Sequence, residues 1–338
     1  MREDSITVLI PAYNVATYIG ACLDSLINQT HTRWQCLCLD DGSQDATAAL
    51  LAGYAQKDPR IRFFSQANQG VTRTLNALLD AMAEESEYFF FLDADDYIHP
   101  QALEILHAQI VKTRADVVEC AIVRCRAEPP ASFHARYADV AGCAGEMILD
   151  MDRYLLRRTA APRFWINKCN KLYRTQRLGA LRFSEELAFE EDYFYALQSC
   201  LILKSKCIVP LPLYFYRVNP TSQTGSLDVA KYQRITANRV RLSYEYFVQG
   251  QRLPAGYRAE FMQDLARDAF RMILRKSLRK CADAKLRVAL FFRASEILRD
   301  YVRDGIVVPS DLGALARLTL WAARRKYYLV CRLLVIVA

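Results

Sequence analysis

The sequence lacks several elements that would assign it to common classes of protein. It contains no Gly-x-Gly-x-x-Gly element, so the usual nicotinamide-binding fingerprint is absent, and no Gly-rich basic loop follows the first predicted strand, as a triphosphate-binding nucleotidyltransferase would require. None of its eleven cysteines forms a Cys-x-x-Cys pair, so we expect reduced, mostly buried thiols rather than a zinc or redox site. It also has no internal repeat and no low-complexity tract.

Long apolar runs are missing as well. The apolar segment that follows Ser5 has only about six residues, which is shorter than the core of a signal peptide. The C-terminal segment 315–338 is interrupted by five basic residues and therefore does not resemble a membrane span. We expect a cytoplasmic protein, with the option of peripheral binding to the cytoplasmic face of the inner membrane.

Histidine is scarce too. The chain has four histidines, and none lies at a spacing typical of a metal site. We therefore expect each of them to be solvated or hydrogen-bonded, and any metal ligands to come from other side chains. They are His31, His99, His107 and His134.

Charge is distributed unevenly along the chain. The net charge is +8, but residues 1–230 carry 23 basic against 28 acidic side chains, and residues 231–338 carry 22 against 9. This asymmetry indicates an acidic partner for the C-terminal part, either nucleic acid or an anionic membrane surface. We favour the membrane and expect no nucleic acid, because the basic residues show no nucleic-acid motif and are interleaved with Trp321, Tyr327 and Tyr328. A basic face that is merely solvated is the remaining alternative.

The first 125 residues alternate between strand and helix patterns. Strands are predicted at 6–10, 34–39, 61–64, 88–92 and 115–123, and amphipathic helices lie between them. Strict alternation of this kind predicts a mostly parallel, Rossmann-like sheet with helices on both faces. From about Lys231 to Arg303 the pattern is helical.

Polar clusters follow three of the predicted strands. They are Pro11-Ala12-Tyr13-Asn14, Asp40-Asp41-Gly42-Ser43 and Asp93-Ala94-Asp95-Asp96. Since ligands of parallel sheets bind at the carboxyl ends of the strands, we expect the clusters to face one crevice. So many carboxylates in one crevice repel one another unless a cation compensates, and hard oxygen ligands favour Mg²⁺ or Mn²⁺. A nucleoside diphosphate could share such a metal.

These residues, together with Asn68-Gln69-Gly70-Val71, resemble the successive motifs of family 2 glycosyltransferases with the GT-A fold. The resemblance implies that Tyr13 stacks on the nucleotide base, that Asp41 contacts the edge of the base, and that Asp93 and Asp95 form the Asp-x-Asp element that holds ribose and metal. The expected donor-site residues are Pro11, Ala12, Tyr13, Asn14, Asp41, Asn68, Asp93, Ala94 and Asp95, with Asp93 and Asp95 as metal ligands.

Later segments resemble the acceptor-side elements of bacterial members. They are Trp165, Asn170-Lys171-Leu172-Tyr173, Phe189-Glu190-Glu191-Asp192, and Leu213-Tyr214-Phe215-Tyr216-Arg217 followed by Ser222. The resemblance implies that Asp192 is the general base, with Glu190 and Glu191 as local competitors. If the segment 185–197 is helical, consecutive carboxylates point about 100° apart, so only one or two of them can face the crevice.

One position departs from the family pattern. Many relatives have Arg-Asn followed by Gly in the helix after the Asn-Gln-Gly turn, whereas this chain reads Thr72-Arg73-Thr74. Arg73 is either a displaced equivalent of that arginine or a surface charge.

The resemblance implies an inverting, metal-dependent transfer of a sugar from a nucleotide-sugar, UDP-sugar by family habit, to a hydroxyl of a growing glycan or glycolipid such as lipopolysaccharide, capsule or exopolysaccharide. We expect a GT-A domain over 1–225, with 1–125 binding the donor and 126–225 forming the acceptor side, and a basic helical extension over 226–338. The alternative is a binding protein without catalytic activity that recognises a nucleotide-sugar or nucleic acid. Sequence alone leaves the base, sugar, acceptor, linkage and oligomeric state open.

Overall fold

The computed structural model describes residues 2–82, 86–125, 133, 135–138, 145–148, 167–187, 190–218, 229–269 and 284–305. The chain divides into two units, one of residues 1–155 and 165–220 and the other of residues 156–164 and 221–338. The predicted domain boundary at residue 225, Trp165, Phe189, Ser222, His134 and the C-terminal segment 306–338 lie outside the described residues.

Nine strands in the described part of the first unit form one sheet. They are β1 (Arg2–Ala12), β2 (Trp34–Asp40), β3 (Ile61–Ser65), β4 (Ser86–Phe91), β5 (Tyr97–Ile98), β6 (Val117–Cys125), β7 (Glu146–Ile148), β8 (Lys171–Arg174) and β9 (Lys206–Arg217). The helices of this unit are α1 (Ile19–Ile27), α2 (Thr47–Lys57), α3 (Val71–Ala81), α4 (Ala102–Thr113), α5 (Thr175–Leu178) and α6 (Glu191–Ile202).

The strand order is β3-β2-β1-β4-β8-β6-β9-β5, with β7 paired to β9. Strands β1 to β4 are parallel, as the alternating pattern predicts, and β6 runs in the same direction. The short strand β8 is antiparallel and lies between β4 and β6. It separates β4 from β6, which are consecutive in the predicted alternation. Leu172 of β8 pairs with Phe90 of β4, although it lies about 80 residues later in the chain.

Alternate residues of the central strand β1 face opposite layers of the sheet. Ile6, Val8 and Ile10 are fully buried in one apolar cluster with residues of α1 and α4. On the other side, the ring of Phe91 from β4 meets Phe183 and Tyr195 edge to face, at centroid distances of 5.6 and 6.0 Å. The sheet therefore has a core on both faces, which explains why the stretches 6–12, 34–39 and 88–91 within β1, β2 and β4 are mostly apolar.

The second unit is helical in its described parts, as the pattern over 231–303 predicts. It contains α7 (Val229–Ser243), a π-helical turn (Tyr244–Gln249), α8 (Arg258–Ala269) and α9 (Ala284–Arg303). Its apolar core includes the buried residues Phe247, Phe261, Leu265, Phe291 and Leu298. Among the described residues, no helix combines the length and apolarity needed to cross a bilayer.

Candidate functional site

The loops that follow β1 and β2 are joined by hydrogen bonds at the carboxyl edge of the sheet. The amide of Asn14 donates to Ser43 Oγ at 2.9 Å, and the Asn14 side-chain oxygen accepts from the Gln44 amide at 2.8 Å. Asn14 has a left-handed backbone, with φ of 50°, which short polar side chains tolerate better than most. Pro11 and the buried Ala12 end β1, and the next side chain, Tyr13, is exposed at 43%.

Asp41 organises the turn before α3. Its carboxylate accepts hydrogen bonds from the amides of Gln69 and Gly70 and from Gln66 Nε2, each at 2.8 Å. The residue is only 3% exposed. A carboxylate that is so thoroughly hydrogen-bonded is held in one orientation, and the turn that it holds includes the exposed Asn68.

The loop after β4 contains three carboxylates, those of Asp93, Asp95 and Asp96. Ala94 is buried at 4% exposure and Asp96 is fully buried, whereas Asp93 and Asp95 are partly exposed. Burial, followed by repulsion from Asp93, raises the pKa of Asp95 to about 6. Burial and the charges of Asp93 and Asp95 also raise the pKa of Asp96 well above its usual value. Burial of the loop and repulsion among its carboxylates thus both disfavour the ionised forms of Asp95 and Asp96.

A buried lysine lies against this loop. Lys168 Nζ is 2.8 Å from Asp93 Oδ1 and 3.4 Å from Asp192 Oδ1, and only 5% of its side chain is exposed. Burial alone lowers the pKa of Lys168, but Asp192 and Asp93 together outweigh this effect, and the pKa is raised well above its usual value. The ammonium group is thus a permanent cation shared by two carboxylates.

Glu191 and Asp192 open helix α6. Burial, followed by repulsion from Asp192, raises the pKa of Glu191 to about 8. Burial also raises the pKa of Asp192, although Lys168 opposes this shift. A quarter of the Asp192 side chain is exposed, and its buried Oδ1 faces the ammonium group of Lys168. The described helix begins at Glu191, and Glu190 before it has a left-handed backbone, so these acidic residues point in different directions.

Arg73, His99 and His107 have partners outside the Asp93 to Asp96 loop and α6. Arg73 forms an exposed ion pair with Glu185, at 3.0 Å from Nε to Oε2, which agrees with the alternative of a surface charge. His99 Nε2 lies 2.7 Å from the backbone oxygen of Ala135, and His107 Nε2 lies 3.3 Å from Asp4 Oδ1. Within the described ranges, no group of three or more His, Cys, Asp or Glu side chains is arranged to hold a metal ion.

Sequence reasoning missed two residues that contact the Asp93 to Asp96 loop through their side chains. Lys168 stands two residues before the motif Asn170-Lys171-Leu172-Tyr173, and no pattern in the sequence distinguishes it from a surface lysine. Tyr214 lies within a predicted motif, but its hydrogen bond to Asp96 requires the pairing of β5 with β9. The fact that this pairing brings two distant motifs together could not be predicted from spacing.

Comparison with known proteins identifies relatives of this chain. The family model described as "Glycosyl transferase family 2" matches residues 7–175. The EpsH protein of Bacillus subtilis (strain 168) is 30% identical over 227 residues, which cover 66% of this chain and 63% of EpsH. The chondroitin synthase of Escherichia coli is 39% identical over 105 residues, or 31% of this chain and 15% of the synthase. The chain thus matches less than two thirds of the length of either relative.

Solved structures also match. The crystal structure of Staphylococcus aureus TarS 1-349 in complex with UDP aligns over 98% of this chain and 90% of that chain, with a TM-score of 0.66 and 20% sequence identity. The same TarS segment is also known in complex with UDP-GlcNAc, at the same TM-score and 19% identity. At this level of identity the likeness supports the fold.

Proposed function

From the premise that this chain belongs to glycosyl transferase family 2 and has the GT-A fold, we propose that it transfers a sugar from a nucleotide-sugar to a hydroxyl group of a growing glycan or glycolipid. We propose a UDP-sugar as the donor, and inversion at the anomeric carbon. The bacterial setting that we propose is the synthesis of lipopolysaccharide, capsule or exopolysaccharide.

The carboxyl edge of β1 and β2 supports the donor half of this proposal. Tyr13 offers an exposed ring for stacking on a base, next to loops that Asn14 and Asp41 hold in place by hydrogen bonds. Asp41 has four lone-pair positions on its two oxygens and accepts three hydrogen bonds, so it retains capacity for one more donor from a base. The TarS structure in complex with UDP is consistent with a uridine nucleotide in this fold.

A divalent cation fits the carboxylates of the β4 loop. Asp93 and Asp95 present hard oxygen ligands, and the pKa of Asp95 is raised by burial and then by repulsion from Asp93, a repulsion that a divalent cation would relieve. We propose that these two residues hold Mn²⁺ or Mg²⁺. Such a cation would stabilise the charge that develops on the leaving diphosphate. Since no third His, Cys, Asp or Glu side chain of the described residues completes a site, the remaining ligands would be phosphate oxygens and water.

The position of Asp192 is the observation that carries the catalytic proposal: Lys168 Nζ lies 3.4 Å from Asp192 Oδ1 and 2.8 Å from Asp93 Oδ1, so the carboxylate of Asp192 stands beside the proposed metal ligand. A quarter of the Asp192 side chain is exposed, so an incoming hydroxyl can reach the carboxylate and donate a hydrogen bond to it. We propose that Asp192 takes the proton of the acceptor hydroxyl as that oxygen attacks the anomeric carbon. The bond from the anomeric carbon to the diphosphate oxygen breaks on the opposite face, and the diphosphate leaves with the bonding electrons.

A panel of nucleoside diphosphates and nucleotide-sugars tests the proposal by thermal shift, each with Mn²⁺ and with EDTA. We expect one nucleotide to raise the melting temperature only with the metal, an effect lost in Asp95→Ala and retained at saturating Mn²⁺ in Asp192→Ala. Asp192→Ala should then lose sugar transfer by about 10²- to 10⁴-fold. If no nucleotide shifts the wild-type protein, the donor site is wrong. If Asp192→Ala keeps its activity, another group is the base.

The basic C-terminal segment is proposed to bind an anionic membrane surface, on the basis of its charge alone. Cosedimentation with anionic and neutral vesicles, with and without residues 313–338, tests this. We expect binding to anionic vesicles that high salt reverses. Equal sedimentation of both proteins would contradict the proposal.

A further inference from the structure

Lys168 lies between the two halves of the candidate site. Its ammonium group is in contact with Asp93, the proposed metal ligand, and with Asp192, the proposed base, at 2.8 and 3.4 Å. A lysine whose side chain is only 5% exposed needs compensating charge, and these two carboxylates supply it. One cation therefore balances a carboxylate from the β4 loop and a carboxylate from α6.

The backbone around Lys168 is fixed to the sheet. Tyr173 Oη donates a 2.9 Å hydrogen bond to the Lys168 carbonyl, and Tyr173 lies on β8, which pairs with β4. Lys171 Nζ is held by Glu119 Oε2 at 3.3 Å and by Asn170 Oδ1 at 2.8 Å. Movement of the ammonium group between Asp93 and Asp192 would thus come from the Lys168 side chain and not from the segment that carries it.

We propose that Lys168 is a positioning residue that couples occupation of the metal site to the orientation of the base. This inference rests on the proposed function. Without a divalent cation, Lys168 neutralises both Asp93 and Asp192. Once Asp93 takes a divalent cation, Lys168 is repelled from Asp93 and its attraction is directed to Asp192. The carboxylate of the base is then fixed only when the donor side is loaded.

Such coupling is reciprocal, so it can be measured as metal affinity without any turnover. Lys168→Met keeps most of the length of the side chain but removes the cation that competes at Asp93. We expect its affinity for Mn²⁺, measured by electron paramagnetic resonance of free Mn²⁺ in the presence of UDP, to rise by about 5- to 100-fold. A lysine with a purely structural role would not give tighter Mn²⁺ binding, since loss of structure weakens a site.

Lys206→Met is the matched control. The side chain of Lys206 is 3% exposed and pairs with the buried Glu119. Its substitution should destabilise the protein and leave the affinity for Mn²⁺ unchanged. Lys168→Arg keeps a cation and should bind Mn²⁺ much more like the wild type than Lys168→Met does. Equal gains in affinity in the Lys168→Met and Lys206→Met proteins would overturn the inference.

A double-mutant cycle tests the link to Asp192 directly. Asp192→Asn removes one of the two carboxylates that share Lys168, so the ammonium group pairs more strongly with Asp93. This variant should therefore bind Mn²⁺ more weakly than the wild type. In the Lys168→Met background the same substitution should have a much smaller effect. Equal effects in both backgrounds, or no effect of Asp192→Asn in the wild type, would refute the coupling. The effect of Asp192→Asn in the wild-type background can be measured even if Lys168→Met does not fold.

The proposed function fails at a different step of the same experiment. If the wild-type protein does not bind Mn²⁺ in the presence of UDP, the proposed uridine donor site is wrong, and the coupling fails with it. If the wild type binds and the cycle is additive, only the role of Lys168 is wrong.

Discussion

Tyr214 Oη donates a 2.7 Å hydrogen bond to Asp96 Oδ2, and the same hydroxyl oxygen accepts a hydrogen bond from the Asp93 amide at 3.3 Å. The other oxygen of Asp96 accepts from the Arg217 amide at 2.8 Å. Strand β9 thereby holds the loop after β4 at two points. Asp96 is fully buried, so its part in the Asp-Ala-Asp-Asp sequence is to fix the conformation from which Asp93 and Asp95 project.

Tyr214→Phe should therefore destabilise the protein. The substitution leaves a buried carboxyl without its hydroxyl donor, which costs about 1–3 kcal/mol. Tyr195→Phe is a close control, because the Tyr195 hydroxyl is buried without a hydrogen-bond partner among the described residues. We expect the control to be neutral or slightly stabilising in urea unfolding. Similar unfolding free energies for the two variants would contradict the anchoring role of Tyr214.

Substitutions of Asp41 and Tyr13 should differ in their effects, the first lowering the stability of the protein and the second weakening nucleotide binding. Asp41→Ala removes three hydrogen bonds from the turn before α3, and we expect it to cost about 2–4 kcal/mol in the absence of any ligand. Tyr13→Ala removes an exposed ring and should leave the unfolding free energy unchanged while it weakens nucleotide binding, measured by calorimetric titration. If Tyr13→Ala destabilises the free protein as much as Asp41→Ala, the ring has a structural role.

Gly42 is required by the close approach of the loop after β2 to the turn before α3. Its φ is 74°, and a Cβ atom there would lie 2.8 Å from the Asn68 amide nitrogen. Gly42→Ala should cost at least about 1–2 kcal/mol from the left-handed backbone alone. A Cβ atom added at Gly53 within α2 would meet nothing within 4 Å outside the helix's own backbone, so Gly53→Ala should stabilise the protein by about 0.5–1 kcal/mol. Thermal unfolding of the two variants would reveal shifts of opposite sign, and a neutral Gly42→Ala would contradict this account.

The sequence predicted the part of the fold that depends on local pattern. Strands β1 to β4 and helices α1 to α4 follow from apolar periodicity, and the polar residues at the carboxyl ends of β1, β2 and β4 identify one edge of the sheet. The antiparallel insertion of β8 could not be predicted, because its four residues Lys171–Arg174 have no distinctive periodicity. Its place beside β4 is determined by pairing across a long sequence separation.

The same limit applies to the candidate site. Asp93 and Asp192 could be selected by their motifs, but the cation between them could not. Lys168 contacts both carboxylates only because β8 inserts beside β4 and brings the segment before it to the β4 loop. Burial of Glu191 is likewise a tertiary property, since the sequence Glu190-Glu191-Asp192 on its own indicates a solvated helix start.

Glu191 should give the protein a stability that decreases as pH rises. Burial and Asp192 raise the pKa of Glu191 in the folded protein to about 8, whereas a glutamate in an unfolded chain has a pKa of about 4.3. Between these values the folded state binds more protons than the unfolded state, so the free energy of unfolding falls with pH, by at most about 1.4 kcal/mol per pH unit. The loss begins above the unfolded pKa and is complete once pH passes the folded pKa.

Glu191→Gln replaces the carboxyl with a neutral group of the same shape, so its advantage over the wild type should grow from pH 5 to about pH 8 and then level off. Urea unfolding in EDTA across that range measures the difference. Glu185→Gln is the control, because Glu185 is half exposed and pairs with Arg73 at the surface, and its pH profile should run parallel to that of the wild type. A Glu191→Gln profile that also runs parallel would show that Glu191 is ionised in the folded protein. A protonated Glu191 leaves Asp192, whose Oδ1 lies 3.4 Å from Lys168 Nζ, as the carboxylate of the pair that is matched by a cation.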